Sequence, residues 1–560
     1  MRCYSEIMDK DSKDASFQAP EAAALITQAA DVLHKCKHRA KSIKVSRPTR
    51  GPPSPAAGLA PQTRETSDEL VRLYFASFES AHRILHAPTF WAEYQRYWDH
   101  PESVTPDLRH KVLLVIGIGS GLYDYGDTSP AHSNTEQLHQ WIYAAQTWLS
   151  GPLEKDRLDI AGLQIYCLII LARQIFSIGG DTVWMSMGSL VHRAMQMGLH
   201  RDPKHLPAMS VLHAELRRRL WATILELVVQ SSLDAWMPPR ISLDEFDTEL
   251  PSNINDDDLD ELTTVLRPLP KETFTSTSLQ LALLESLPTR LRIVKLLNGI
   301  HSELSYRHAL SLTSELTTAL EANFTRFKSS NSSATPFHRN YLDYLTRRFL
   351  IPLHYPFSHQ ARANPVFHNS VKLSVDAALA LVSPEPDGGL FARLMAISGG
   401  LFREGFRCAM TAISLELLAH VEAQARDGSL HRTRRYRDFL KQAVRDLIAL
   451  SEERIRMGET NVKSHMFLSM ILAQVEAVEE EREVAVEVAR AARDSLVFCE
   501  GLLSARVEGG DAGGRLQSES PAGGGTVIGG GGMDGVQGSG FEGLGGDFDW
   551  EVFFTNEYLC

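Results

Sequence analysis

Cysteine is scarce in this sequence: its six copies among 560 residues lie far apart and form no C-x2-C pair. Isolated cysteines indicate neither a disulfide framework nor a zinc site, and they suit free thiols in a reducing compartment. Long apolar runs are scarce as well, because runs such as 112–118 and 167–172 fall short of the ~18 residues that a membrane span needs. We therefore expect no metal site of this kind and no membrane span.

Motifs of common enzyme classes are missing. The sequence has no G-x-S-x-G elbow, no H-E-x-x-H pair and no Walker loop. The tripeptide His-Arg-Asp at 200–202 matches the start of a kinase catalytic loop, but no Asp-Phe-Gly follows it. Gly117, Gly119 and Gly121 follow an apolar stretch, where the helical context favours close helix packing over a cofactor site. We therefore predict no catalytic residues and no enzyme activity.

Composition and spacing indicate a helical protein. Hydrophobic residues make up 43% of the chain, which is enough for at least one large core. Leu70, Tyr74, Phe78 and Ala81 recur at intervals of three and four residues, and strand-like alternation is rare. The net charge of −12 gives the whole chain no attraction to phosphate groups. The sequence predicts an all-α fold, a large multi-helix body joined by short loops.

Changes in composition divide the chain into five predicted segments. A Pro-rich and Arg-rich stretch ends the first, in which a short helix over 22–34 is expected, and 17 of the 38 glycines lie in 509–546. The segments are a disordered, mobile basic arm (1–66), the core of the helical body (67–262), its C-terminal helical part (263–506), a Gly-rich linker or tether (507–546) and an acidic-aromatic terminal segment (547–560).

Two short clusters of positive charge are candidates for a nuclear-import signal. Residues 35–50 hold seven Lys or Arg and no acid, and residues 431–437 hold four arginines. The first cluster could instead contact phosphate weakly, and a solvated face or linker is the ordinary role of either. The candidate import residues are Lys35, Lys37, Arg39, Lys41, Lys44, Arg434 and Arg435.

The end of the chain combines acids with large rings. Residues 541–558 hold five acids, six aromatics and no basic residue. This is typical of activation segments, in which repelling carboxylates keep apolar side chains solvated until a partner groove accepts them. The alternative is a terminal helix that packs onto the protein's own surface. The predicted anchors are Phe548, Trp550, Phe553 and Phe554.

Three consecutive arginines, Arg217, Arg218 and Arg219, lie on a predicted helix between Glu215 and Trp221. Successive helical positions point in different directions, so these side chains fan around the helix and form no single basic stripe. We expect salt bridges with neighbouring acids and stacking on aromatic rings rather than phosphate binding.

The motifs at 194–203, 215–221 and 239–258 share their order and spacing with a known family. Together with 70–75 and 84–90, they resemble the fungal-specific transcription factor domain, the middle homology region of zinc-cluster regulators. The similarity extends over about 67–505. One departure is Ala235-Trp-Met-Pro-Pro-Arg240, which replaces the family's Gly-Arg-Pro turn. The residues that match family motifs are His200, Arg201, Asp202, Pro203, Arg217, Arg218, Arg219 and Trp221.

The resemblance implies a nuclear regulator of RNA polymerase II transcription, acting on metabolic or secondary-metabolite genes. Its expected partners are transcription machinery or a co-regulator, with a small-molecule effector and a homodimer as further predictions. The family's six-cysteine zinc cluster has no counterpart around Cys3 and Cys36, since two thiolates cannot replace six. We therefore expect no cofactor in this chain, zinc only with a missing N-terminal cluster, and DNA contact only through such a missing reader or a DNA-bound partner.

An alternative of another class stays open at this point. His, Trp and Tyr residues recur within 74–240, where a pocket between helices could form. The chain would then be a helical small-molecule-binding protein or an enzyme.

Overall fold

The computed structural model describes residues 20–45, 60–61, 63–124, 131–151, 155–328, 332–361, 363–397 and 399–514. Within these ranges the chain forms eighteen α-helices of eight residues or more and no β-strand, which confirms the all-α prediction. It divides into two compact units. We call Ser46–Glu416 with Met457–Glu459 the large unit, and Met1–Val45, Leu417–Arg456 and Thr460–Cys560 the terminal unit.

The helices are numbered in chain order. They are α1 (Pro20–Val45), α2 (Arg64–Tyr74), α3 (Ala87–Asp99), α4 (Pro106–Ser120), α5 (Ala131–Leu149), α6 (Ile160–Ile175), α7 (Val183–Gln196), α8 (Val211–Asp234), α9 (Ser278–Asn298), α10 (Tyr306–Lys328), α11 (Pro336–Arg347), α12 (Leu350–Gln360), α13 (His368–Val382), α14 (Leu390–Ile397), α15 (Arg403–Asp427), α16 (Arg434–Arg456), α17 (Lys463–Glu479) and α18 (Val484–Gly514). A π-helical turn, Phe75–Glu79, follows α2. Among the described residues, no helix has the length and apolar character that crossing a membrane requires.

The core of the large unit includes α4 and α6, whose residues are buried on almost all sides. A Cβ added at Gly119 of α4 would collide with the backbone oxygen of Leu70 in α2. At Gly117, the added atom would collide with the side chain of Leu138 in α5. These glycines therefore allow neighbouring helices to approach closely, which confirms their predicted role in packing.

Residues 20–45, which fall within the arm predicted to be disordered at 1–66, are helical. Residues 20–45 form α1, whose apolar stripe packs against α18. Leu33 and Cys36 are buried there beside Leu496 and Cys499. The stripe recurs at helical spacing, so its burial stabilises a 26-residue helix, much longer than the predicted 22–34. Residues 1–19 and 46–59 lie outside the described residues.

The units do not follow the predicted segment boundaries. Both sides of the boundary predicted at 262 belong to the large unit, and the division of the structure falls inside α15, after Glu416. Helix α18 continues to Gly514, past the predicted start of the linker at 507. The rest of the linker and the segment 547–560 lie outside the described residues.

Candidate functional site

The His-Arg-Asp-Pro motif begins where α7 ends. Gly198 has a φ of 76°, the left-handed conformation that ends many helices and that glycine adopts without strain. The chain then enters the 3-10 turn Pro203–His205. Asp202 caps this turn by accepting a hydrogen bond from the backbone N–H of Lys204 at 3.0 Å. The Asp202 side chain is thereby buried against α8.

The three consecutive arginines of α8 contact three different segments. Arg217 donates to a backbone carbonyl just after α7 at 2.7 Å. Arg218 donates two hydrogen bonds to Asp202, both 2.9 Å long. Arg219, which is fully buried, donates to Asp256 at 2.7 Å. The prediction that these side chains point in different directions is confirmed, and so is the prediction that they form salt bridges. Their contacts bind α8 to three separate segments of the large unit.

Asp202 is the first carboxylate that several segments share. Besides Arg218, the backbone N–H groups of Lys204 and Glu249 donate to it at 3.0 Å each. Its own N–H donates to the Asp247 carboxylate at 2.8 Å. Burial alone would raise the pKa of Asp202, but these donors outweigh burial and hold that pKa well below its usual range. The carboxylate therefore stays ionised inside the protein.

Asp256 is the second shared carboxylate. It accepts hydrogen bonds from Arg83, from Arg219 and, at 3.0 Å, from the backbone N–H of Ala87. Its backbone oxygen lies 3.2 Å from Nε2 of His86. Burial would raise the pKa of Asp256, but the two guanidinium groups hold it well below its usual range. Asp256 thus joins the loop at 83–87 to α8.

Glu79 lies beside this network in the π-helical turn. Its carboxyl accepts a hydrogen bond from the Tyr74 hydroxyl at 2.6 Å and from the backbone N–H of Leu85 at 2.8 Å. Burial raises the pKa of Glu79 to about 7 despite the nearby Arg83 guanidinium. Glu79 therefore gains or loses its proton near neutral pH, whereas Asp256 stays ionised.

We expect the difference in Tm between Glu79→Gln and the parent to shift in favour of the variant as the pH rises from about 5 to about 8. The pKa of Glu79 is raised in the folded state, so its protonated carboxyl stabilises the parent. This stabilisation is fully present below the ordinary carboxyl pKa and is lost as the pH rises through about 7. Glutamine cannot ionise, so the variant escapes this loss. Scanning fluorimetry measures both Tm values, with Glu102→Gln at an exposed site as the control. A Tm difference that does not change with pH would contradict the raised pKa.

Trp221 and the remaining motif residues lie next to this network. The Trp221 ring is buried, with its centroid 5.7 Å from the Phe246 ring and 6.5 Å from the His200 ring. Arg201 pairs with Asp247 at 3.0 Å, and both side chains are about half exposed. The structure therefore brings all the predicted family-motif residues together around α8.

A buried ion pair that sequence reasoning missed connects α8 to α9. Arg290 donates to both carboxylate oxygens of Glu226, at 2.7 and 2.8 Å, and to the carbonyl oxygen of Leu283 at 2.6 Å. Gln230 donates to Glu226 at 2.8 Å. Burial would raise the pKa of Glu226, but the pairing with Arg290 lowers it overall. Charged residues on helices usually face solvent, so the sequence carried no signal for this pair.

Polar side chains continue from this pair into the interior of the large unit. His82 Nε2 lies 2.8 Å from the Tyr341 hydroxyl, and Gln280 donates to the Thr223 hydroxyl at 3.0 Å. Burial lowers the pKa of His82 to about 4, so its ring is neutral at physiological pH. Within the described part of the chain, His82 Nδ1, Gln230 Oε1 and Gln280 Oε1 find no hydrogen-bond partner. Water or a polar ligand group would satisfy them.

The other candidate residues belong to the terminal unit. Four of the import candidates are exposed on α1, namely Lys35, Lys37, Lys41 and Lys44. Arg39 instead pairs with Glu500 of α18 at 2.6 Å. Arg434 and Arg435 are exposed at the start of α16. The predicted activation anchors lie outside the described residues: Phe548, Trp550, Phe553 and Phe554.

The described residues contain no group of three or more His, Cys, Asp or Glu side chains that could hold a metal ion. Cys36, Cys167 and Cys499 are buried free thiols. Burial raises the pKa of Cys36 and of Cys499 to about 12, so both stay protonated at neutral pH. Metal binding requires the thiolate, which makes these cysteines poor ligands.

Known proteins share this chain's sequence over most of its length. A transcription factor of Sarocladium schorii is 48% identical over 556 residues, which cover 91% of this chain and 65% of that protein. The aspyridones cluster regulator of Emericella nidulans is 33% identical over 68% of this chain and 54% of its own length. A Zn(2)-C6 fungal-type transcription factor of Macrophomina phaseolina is 28% identical over 64% and 51%. The chain spans less than two thirds of each of these relatives.

The fungal specific transcription factor domain matches residues 71–331. This match contains α8 and α9 with both shared carboxylates, Asp202 and Asp256, and the Glu226–Arg290 pair. The resemblance inferred from the motifs is therefore confirmed, and residues 71–331 of this chain carry the fungal specific transcription factor domain.

Proposed function

We propose that this protein acts in the nucleus as a regulator of transcription and controls genes of a secondary-metabolite pathway. The fungal specific transcription factor domain at 71–331 carries the proposal. The names of two relatives support it, since one is a transcription factor and another is the aspyridones cluster regulator.

In this proposal the helical domain acts through contacts rather than chemistry. The ionised groups of the site bond to one another: Arg218 to Asp202, Arg219 to Asp256 and Arg290 to Glu226. Such closed pairs fix the positions of helices and loops, and none of these six paired groups is poised as a nucleophile or base. We therefore propose a scaffold that presents surfaces to partners, and not an enzyme.

Recruitment of transcription machinery is assigned to the segment at 541–560. Fused to a heterologous DNA-binding domain, this segment is expected to activate a reporter gene. Replacing Phe548, Trp550, Phe553 and Phe554 by Ala is expected to abolish activation, because each large side chain buried in a partner groove contributes roughly 1.5–3 kcal/mol. The measurement is reporter output at matched protein levels.

The matched control replaces Asp547, Asp549 and Glu551 by their amides, which keeps the rings and removes the charge. A smaller loss is expected, because these carboxylates mainly keep the anchors solvated and steer the encounter. Full activation by the four-alanine variant would reject the activation role and favour a terminal helix that packs onto the protein itself.

Nuclear import is assigned to the exposed lysines of α1. Changing Lys35, Lys37, Lys41 and Lys44 to Ala in a fluorescent fusion is expected to shift the protein toward the cytoplasm, because an import receptor reads accessible positive charge. Arg39→Ala serves as the control, since Arg39 is engaged with Glu500 on α18. An unchanged nuclear signal would transfer the role to Arg434 and Arg435 or to a partner.

We also propose that this protein binds DNA indirectly, responds to a small molecule and forms a homodimer. DNA contact would come from a zinc-cluster reader or a DNA-bound partner, and zinc would belong to that reader. A small-molecule effector would find polar partners at His82, Gln230 and Gln280, whose unpaired atoms are buried. The homodimer would form between two copies of this protein.

A further inference from the structure

A group of polar and aromatic side chains lies where the end of α5 meets the first turns of α4. The Trp148 ring of α5 has its centroid 5.5 Å from that of the His110 ring of α4. The guanidinium carbon of Arg157 lies 4.3 Å from the centroid of the same tryptophan ring. We call Arg109, His110, Trp148 and Arg157 the α4–α5 cluster. All four residues belong to the large unit.

Three nitrogen atoms of the α4–α5 cluster are buried without a partner. Within the described part of the chain, Nε1 of Trp148, Nε of Arg157 and Nδ1 of His110 form no hydrogen bond. The first two are N–H groups that can only donate, and Nδ1 of a neutral imidazole can carry the proton of the ring. His110 is only 6% exposed, so bulk solvent does not satisfy its ring. Because buried donors in folded proteins are almost always paired, these atoms require an acceptor.

The cluster also carries positive charge that no neighbouring acid pairs with. Among the described residues, no carboxylate forms a salt bridge with Arg109 or Arg157. Burial lowers the pKa of His110 to about 4, and the charges of Arg109 and Arg157 act in the same direction, whereas Asp107 acts against them. The His110 ring is therefore neutral at physiological pH, and the two guanidinium groups supply the charge of the cluster.

The helix ends around the cluster favour a negative charge as well. Helix α4 begins at Pro106, so the positive end of its dipole lies about one turn from His110. The end of α5 is the negative end of a dipole. Arg193 offsets this effect, since it donates to the Leu149 carbonyl oxygen at 3.5 Å.

We propose that the α4–α5 cluster binds an oxyanion, the carboxylate or phosphate group of a small metabolite. Oxygens of such groups accept hydrogen bonds from the Nε–H of Arg157, the Nε1–H of Trp148 and the Nδ1–H of His110, and their charge pairs with the guanidinium groups. Arg157 and Trp148 are half-buried, so a small anion reaches them from the solvent.

Other occupants fit the cluster less well. A water molecule accepts hydrogen bonds, but it leaves the charge of Arg157 uncompensated beside a buried ring. A cation is repelled by Arg109 and Arg157. The buried oxygens of Gln230 and Gln280 require a donor instead of an acceptor. The effector proposed for those glutamines and the oxyanion of the α4–α5 cluster are therefore chemically different ligands.

A bound oxyanion connects three elements: α4, the end of α5 and the 3-10 turn Lys155–Arg157. It stabilises the folded large unit to a degree that depends on its concentration, because it binds the folded state alone. Binding at the cluster does not rest on the proposed role in transcription. Only a regulatory use of this binding would.

Calorimetric titration of the full chain tests the site near neutral pH and at constant ionic strength. The probes are inorganic phosphate and benzoate. Saturable binding of one or both is expected, with a dissociation constant of about 1 mM or tighter. Tighter binding of benzoate would assign a carboxylate, and tighter binding of phosphate would assign a phosphate ester. If neither probe binds saturably up to about 20 mM, the oxyanion site is overturned.

Three variants assign the binding to the cluster. Arg157→Gln is expected to weaken it about tenfold or more, because the variant loses the guanidinium charge and the Nε–H group. Trp148→Phe keeps a ring and removes only the Nε1–H donor, so a loss of about threefold to tenfold is expected. The control is Lys155→Gln, which removes an exposed charge two positions from Arg157 and should change the affinity less than about twofold.

Parent-like binding by Arg157→Gln, or an equal loss in Lys155→Gln, overturns the assignment to this cluster. Scanning fluorimetry without a probe shows whether a variant has lost its fold. Arg157 has no acid partner among the described residues, so Arg157→Gln should keep the Tm of the parent within about 3 °C. If its Tm falls further, the affinity of Trp148→Phe decides. None of these measurements involves the reporter assay, so the site and the proposed function are rejected by different results.

Discussion

Asp256→Ala is expected to destabilise the large unit strongly, whereas Asp247→Ala should destabilise it much less. Without Asp256, the side chains of Arg83 and Arg219 stay buried, at 4% and 0% exposure, and lose their shared carboxylate. Removing one partner of a buried ion pair typically costs about 3–5 kcal/mol. Asp247 is 42% exposed, and its loss removes the exposed pair with Arg201 and the acceptor of the Asp202 backbone N–H, which together should cost about 1–2 kcal/mol.

Urea denaturation monitored by tryptophan fluorescence compares the two alanine variants with the parent. Asp256→Asn provides a third measurement, because it keeps an acceptor oxygen while removing the charge, and an intermediate loss is expected. Since the pKa of Asp256 is lowered in the folded state, the advantage of the parent should shrink as the pH falls below the ordinary carboxyl value of about 4. Equal losses for Asp256→Ala and Asp247→Ala would contradict the buried-network interpretation.

The sequence predicted what depends on local spacing. Helical periodicity identified the all-α fold, and the geometry of consecutive helical positions predicted that Arg217, Arg218 and Arg219 point in different directions. The sequence did not predict which helices pack together when they are far apart along the chain. Helix α1 carries an apolar stripe of ordinary helical spacing, but its partner α18 lies about 460 residues further along the chain, with Cys36 Sγ 3.7 Å from the Leu496 carbonyl oxygen. No local pattern indicates such a partner.

At the site, too, the sequence did not predict which residues pair with each other. Asp256 stands beside Asp257 and Asp258, which are both exposed, and the sequence does not distinguish the one buried acid from its neighbours. Arg83, its partner, is one of many isolated arginines. Which acid meets which arginine depends on the tertiary packing of the loop at 83–87 against α8. Sequence motifs therefore located the site but did not identify its pairs.

Arg290→Ala is expected to destabilise the protein about as much as Asp256→Ala, because it leaves a buried acid without its arginine. The variant leaves the Glu226 carboxyl 4% exposed without its guanidinium partner, which should cost about 3–5 kcal/mol. Arg292→Ala is the control two positions along the same helix. Arg292 pairs with Glu315, but these side chains are 46% and 39% exposed, so a cost of about 1 kcal/mol or less is expected.

The double variant Glu226→Leu/Arg290→Met separates the charge from the packing. Removing both charges avoids the cost of a lone buried ion, and well-packed apolar replacements of buried ion pairs are often neutral or stabilising. We therefore expect it to recover most of the stability that Arg290→Ala loses in the same urea titration. A double variant as unstable as the single one would show that the other bonds of Arg290, to the Leu283 carbonyl and the Ser286 hydroxyl, stabilise the interface of α8 and α9 more than the ion pair does.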